Sequence, residues 1–133
     1  MIDCENEIYT PIARALRVAY PGINVSGEYV RSPSSFPHAS IVEADNYVSE
    51  DKVDSSGIEQ YATLMYEVNV YSNKVGGKKT ECKKILDTID HMMYERNFRR
   101  IARTPVPNLE DASIYRITAR YRAETDGTYL YRN

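Results

Sequence analysis

Residues 78–97 read KKTECKKILDTIDHMMYERN, and this stretch decides the fold. Its apolar side chains Cys82, Ile85, Leu86, Ile89, Met92 and Met93 follow one another at spacings of 3, 1, 3, 3 and 1. That rhythm draws a single stripe along a helix of about 3.6 residues per turn. Lys79, Lys83, Lys84, Asp87 and Asp90 are left facing water, and Asn97 suits the left-handed residue that ends such a helix. An apolar stripe needs an apolar surface to lie on, so the flanking segments must supply a sheet.

Residues 63–72 alternate most cleanly. Leu64, Tyr66, Val68 and Val70 share one face, and Met65, Glu67, Asn69 and Tyr71 the other. Residues 112–123 repeat the pattern, with Tyr115, Ile117, Ala119 and Tyr121 inward and Arg116, Thr118, Arg120 and Arg122 outward. Further strands are expected over 24–30, weakened by Gly27, over 38–44, and over 98–104, where Pro105 and Pro107 break the run. A first helix carries Ile8, Ile12 and Leu16. Pro11 lacks an N–H and would crowd the carbonyl of Glu7, so Thr10 is expected as N-cap with Pro11 at the first helical position, and Asp3 to Tyr9 as a separate turn of helix or a kinked extension. Tyr20-Pro21-Gly22 closes that helix. The order α, β, β, β, α, β, β predicts an α+β fold. It is a two-layer sandwich in which a mostly antiparallel or mixed sheet of four to five strands carries two helices on one face.

At 133 residues the chain is one domain, 1–133, with an exposed acidic loop or extended hairpin tip over 45–60 and a C-terminal tail over 125–133. It holds 17 basic and 19 acidic side chains, unevenly placed. Residues 1–60 contain 4 basic and 10 acidic groups, and residues 61–133 contain 13 and 9. Net −6 therefore faces net +4, which suits a protein whose surfaces meet different partners or each other. Cys4 and Cys82 form no paired motif, as expected of a reduced intracellular chain. No run approaches the length of a membrane span, and residues 1–10 lack the pattern of a secretory signal.

Little in the chain points to catalysis. Gly76-Gly77-Lys78-Lys79-Thr80 lacks the glycine spacing of a phosphate loop and reads as a helix start. His38 and His91 have no acid or thiol at ligand spacing, and no nucleophile–base arrangement is visible. The expectation is a non-enzymatic chain with no catalytic residue, metal or cofactor. Two features favour contact with other macromolecules. Seven arginines lie between Arg96 and Arg122, and twelve tyrosines stand without a tryptophan. A strand of outward arginines could alternatively bind nucleic acid, although Tyr115 and Tyr121 point to the opposite side.

The chain resembles the tail terminator, or tail completion, proteins of long-tailed bacteriophages and related contractile particles. The resemblance is carried by Ala19-Tyr20-Pro21-Gly22, Phe36-Pro37-His38-Ala39-Ser40-Ile41-Val42-Glu43, Tyr66-Glu67-Val68-Asn69-Val70-Tyr71-Ser72, the long helix, and Tyr115-Arg116-Ile117-Thr118-Ala119-Arg120-Tyr121. It spans nearly the whole chain as a pattern, without a diagnostic motif, and neck or head–tail joining proteins share much of it. The resemblance implies a virion protein, assembled in the host cytoplasm, that forms a hexameric ring capping the tail tube. Its implied partners are other copies of itself, the tube protein, the head–tail connector and, in a contractile particle, the sheath. Genome DNA would pass through the lumen without sequence recognition.

A ring needs two different complementary patches on each subunit. The expected pair is Asp45, Glu50, Asp51, Asp54 and Glu59 against Arg99, Arg100 and Arg103 or Arg116, Arg120 and Arg122, with the acidic segment alternatively lining the lumen. Tyr129, Leu130 and Tyr131 are expected to pack on a neighbouring copy or on the tube.

Overall fold

The computed structural model describes residues 3–30, 32–48, 62–107, 111–126 and 130–131. In chain order these form α1 (Glu5–Ala19), β1 (Asn24–Ser26), β2 (His38–Val48), β3 (Ala62–Ser72), α2 (Lys78–Glu95), β4 (Arg99–Val106), β5 (Tyr115–Thr125) and β6 (Leu130–Tyr131). One mixed sheet runs β1-β2-β3-β5-β4, with the two-residue β6 added to β5. Among the described strands only β1 and β2 are parallel; every other pair is antiparallel. Both helices lie on one face, giving the expected α+β two-layer sandwich. Among the described residues no helix is long and apolar enough to cross a membrane.

The stripe on α2 does what its spacing requires. Cys82, Ile85, Leu86, Ile89 and Met93 are buried, while Met92 is only half-buried at the rim. They cover Leu64, Tyr66, Val68 and Val70 of β3 and Ile117, Ala119, Tyr121 and Ala123 of β5. Ile8, Ile12 and Leu16 of α1 complete the layer toward Ala39 and Ile41 of β2. The Tyr66 and Phe98 rings meet edge to face at 5.4 Å, an arrangement that aromatic quadrupoles favour.

The helix ends are set by local chemistry. Gly76 takes φ +75° and Gly77 caps α2, so the glycine pair is a helix start, not a phosphate cradle. At the far end Asn97 adopts φ +64°. Phe98 N–H donates to Met93 O and Asn97 N–H to Tyr94 O, the paired bonds of a Schellman stop. The buried Met93 and Phe98 supply the apolar contact that accompanies it. The Tyr20 hydroxyl lies 2.7 Å from Thr88 Oγ1 and 3.1 Å from Lys84 O, tying the end of α1 to α2.

Several boundaries differ from expectation. α1 is continuous through Pro11, beginning near Asp3 and Cys4. Glu7, whose carbonyl loses its helical partner there, is exposed, and the buried face of Ile8, Ile12 and Leu16 carries the helix through the break. β1 stops at Ser26, ahead of Gly27, whose Cα lies so close to the Tyr9 ring that a Cβ would sit 3.2 Å from it. β2 runs four residues beyond Ala44 through a bulge between Glu43 and Asp45, so Asp45 belongs to a strand and not to a loop. The remaining acidic-loop residues Glu50, Asp51, Asp54 and Glu59 lie outside the described residues. β4 contains Pro105, which an edge strand tolerates because no outer neighbour needs its missing N–H. β5 ends at Thr125, and Leu130 and Tyr131 pair with Thr125 and Glu124. Part of the C-terminal tail is thus sheet; Tyr129 lies outside the described residues.

The Asn97 cap is testable. Asn97→Ala is expected to cost about 1 kcal/mol, because a Cβ without a compensating side chain is strained at that backbone angle, whereas Asn97→Gly stays within about 0.5 kcal/mol of the parent. Urea denaturation of the two variants measures the difference.

Candidate interaction surface

The sheet face opposite the helices is polar and is read most simply as rows of paired residues running from β2 to β4. Paired residues share a face, so the rows are Asp45–Met65–Arg122–Arg99, Val42–Glu67–Arg120–Ala102, Ser40–Asn69–Thr118–Thr104 and His38–Tyr71–Arg116–Val106. Three of the arginines expected at an interface therefore do share this face on β5. The β4 arginines do not stay together. Arg99 lies on the open face, whereas Arg100 and Arg103 turn toward the helices.

There they meet α2. Arg100 Nη1 lies 3.2 Å from Asp90 Oδ1, and Arg103 Nη1 lies 4.0 Å from Asp87 Oδ1. Asp90 also accepts a 2.8 Å hydrogen bond from the Tyr121 hydroxyl, so it ties α2 to β5 and β4 at once. Burial and the Asp90 charge push the Tyr121 phenol far above its usual range. Helical spacing placed Asp90 on the wet side; only its meeting with β5 turns it into a tie.

On the open face Arg116 is a structural clamp. Its Nε and Nη2 donate to Asn69 Oδ1 at 3.0 and 2.8 Å, and Nη2 also donates to the Tyr29 hydroxyl at 3.1 Å. The guanidinium stands 5.4 Å over the Tyr71 ring, and the Tyr71 hydroxyl donates to Val30 O. Together these contacts hold residues 29–30 across the β3–β5 end of the sheet. Arg120, 3.6 Å from Glu67 with an exposed head, and Arg122 are the outward cations of β5. Arg122 and Arg99 border a shallow concavity of about 270 Å³ with Arg100 and Ile101, and the buried Nε of Arg122 finds no hydrogen-bond partner among the described residues.

Two polar sites lie under cover. His38 is 1 % exposed, with Nε2 at 3.2 Å from Ser26 Oγ and Nδ1 without a hydrogen-bond partner among the described residues. Desolvation lowers its pKa below the ordinary value. Next to the start of α1, a Glu43 oxygen and the Tyr66 hydroxyl are buried and likewise without hydrogen-bond partners. Desolvation, then the charges of Glu5, Asp3 and Asp45, raise the Glu43 pKa. His91, by contrast, is an exposed helix residue 3.3 Å from Glu95, and both cysteines are buried and free. Burial pushes the Cys82 thiol up to about 12, a state in which it packs and donates weakly to Val70 O and Tyr115 O. Among the described residues no group of three His, Cys, Asp or Glu side chains is placed to hold a metal ion.

Arg116→Ala is expected to cost about 1–3 kcal/mol of unfolding free energy, because it leaves buried Asn69 without its charged donor. Arg120→Ala, which takes an exposed cation from the largely buried Glu67, should cost less, about 1 kcal/mol. Stability against pH separates the two buried titrating groups. His38 is neutral in the fold, so its contribution is full above the unfolded value near 6.5 and is lost as pH falls through the lowered folded value; His38→Gln should remove that slope. Glu43 has the opposite sign: its folded pKa is raised, so the ionised carboxylate weakens the fold at neutral pH and Glu43→Gln should stabilise there, an advantage that fades in acid. Chemical denaturation between pH 4.5 and 8 checks both signs. No protein-family model and no curated protein matches the chain.

Proposed function

We propose that this chain is a structural, non-enzymatic virion protein: a tail terminator whose copies close into a ring, sixfold as the resemblance implies, on the head-proximal end of a phage tail tube. There it ends tube growth and presents the docking surface for the neck connector. The observation that carries the reading is an asymmetric subunit. One sheet face is sealed by helices, the other carries the outward cations Arg99, Arg120 and Arg122, and acidic groups gather at the β2 edge, Asp45 at the end of an open-face row and Glu43 on the helix-covered side. Head-to-tail closure requires two unlike surfaces of this kind on one protomer. A neck or head–tail joining protein built on the same pattern is the nearest alternative.

The test is genetic and structural together. Particles made without this chain should show tubes longer than the normal length that fail to join heads, and labelled protein should sit at the head-proximal tail end in electron micrographs. Normal-length tails joined to heads in its absence would overturn the reading. If purified protein shifts DNA in a salt-sensitive manner and forms no ring, the nucleic-acid-binding alternative takes its place.

A further inference from the structure

We infer that copies of this chain associate by sheet extension, the arginine-bearing edge β4 of one copy pairing antiparallel with the acidic outer edge of β2, residues 41–48, of the next. The inference rests on the reading of the chain as a ring subunit and identifies the two surfaces that close the ring. It starts from the backbone. β1 pairs only with His38, Ala39 and Ser40, so of the 11 residues of β2 eight have no outer neighbour among the described strands. At the other margin β4 is also eight residues long and has no outer neighbour among the described strands. Residues 99–105 are exposed, an unusual state for most of a strand.

Edges of this kind present rows of N–H and C=O groups that invite pairing. Direction suits the match. Neighbours from β2 to β4 alternate, so β2 and β5 run one way and β3 and β4 the other. A second copy set beside the first with its sheet in the same orientation therefore brings β4 against β2 in antiparallel sense.

Charge then selects the partner. β4 carries Arg99, Arg100 and Arg103, while the β2 edge carries Glu43 and Asp45 beside Asp3 and Glu5 of the α1 start. Arg100 and Arg103 lie beside Asp90 and Asp87 of their own α2, which offsets part of their charge; β4 against β4 would still set arginines against arginines, and β2 against β2 carboxylates against carboxylates, so charge favours the unlike edges. Pro105 and the bulges in both strands further discourage indiscriminate pairing. The acidic edge also lacks something. The Glu43 oxygen and the Tyr66 hydroxyl, on a residue 0 % exposed, are buried acceptors without partners among the described residues. A guanidinium arriving from a neighbouring copy is the donor that such a site fits. Each edge finally offers one large apolar side chain to the contact, Tyr47 at 42 % and Ile101 at 51 % exposure.

Hydrogen exchange of the full chain, followed with sedimentation as concentration rises to about 1 mM, tests the pairing, since even a weak contact is populated there. Amides of residues 41–48, 99–104 and 106 should slow together as a discrete oligomer forms. Asp45→Arg alone and Arg99→Glu alone, both on the open sheet face, should each weaken association about tenfold, and the double variant, which restores opposite charge between those two positions, should recover most of it. A closed oligomer whose edge amides stay fast overturns sheet extension but leaves the ring reading standing. Slowed edges in open chains of unlimited size support the pairing and overturn the ring. A chain that stays monomeric throughout overturns both.

Discussion

Everything in this fold hangs on one contact, the apolar stripe of α2 laid across the central strands β3 and β5. Cys82, Ile85, Leu86, Ile89 and Met93 remove from water a sheet surface that neither strand could hide alone. The contact also fixes orientation, because Asp90 at the edge of the stripe receives both the Tyr121 hydroxyl and Arg100. Strand order, helix placement and the exposure of the far sheet face follow from that seating. With helices on one side only, the second face must find other cover or remain wet.

The second face does both. Toward His38, Tyr71 and Arg116 it is closed by residues 29–30, held by a mesh centred on Asn69 Oδ1, which accepts from Arg116 and from the Thr118 hydroxyl at 2.6 Å. Buried polar groups are tolerated there because most are bonded, and the few that are not mark where charge or water is resisted. Toward Arg120, Arg122 and Arg99 the face stays open. The arginines of β5 thus perform two different tasks on one strand: Arg116 stabilises the subunit, and Arg120 and Arg122 are presented outward. Residues of one type and one alternation phase are separated only by what lies above them.

The margins of the sheet are where the proposed association would take place. A short β1 that covers only one end of β2 and an exposed β4 leave two unlike edges on opposite sides of a single layer. Association through such edges would extend the same backbone hydrogen bonding that holds β3 to β5, with charge deciding which edge meets which. The ring proposed for this chain needs that lack of self-complementarity, since like edges that paired with one another would end in dimers.

Periodicity along the chain determined by itself the helix at 78–95, the inward and outward sets of β3 and β5, the Asn97 stop and the α+β class, because each depends on side chains a few residues apart. The extent of β2 past Ala44, the survival of α1 through Pro11 and the return of residues 130–131 to the sheet were not legible. Local signals at those points favour interruption, and pairing or burial against distant residues overrides them. The site divides the same way. Clustered arginines and an acidic first half can be counted in sequence, but the division of Arg99 from Arg100 and Arg103 depends on pairing with β5 and a bulge at residue 101. Which charges are neutralised within the subunit and which remain for a partner is a question of distances between elements, and only the tertiary structure decides those.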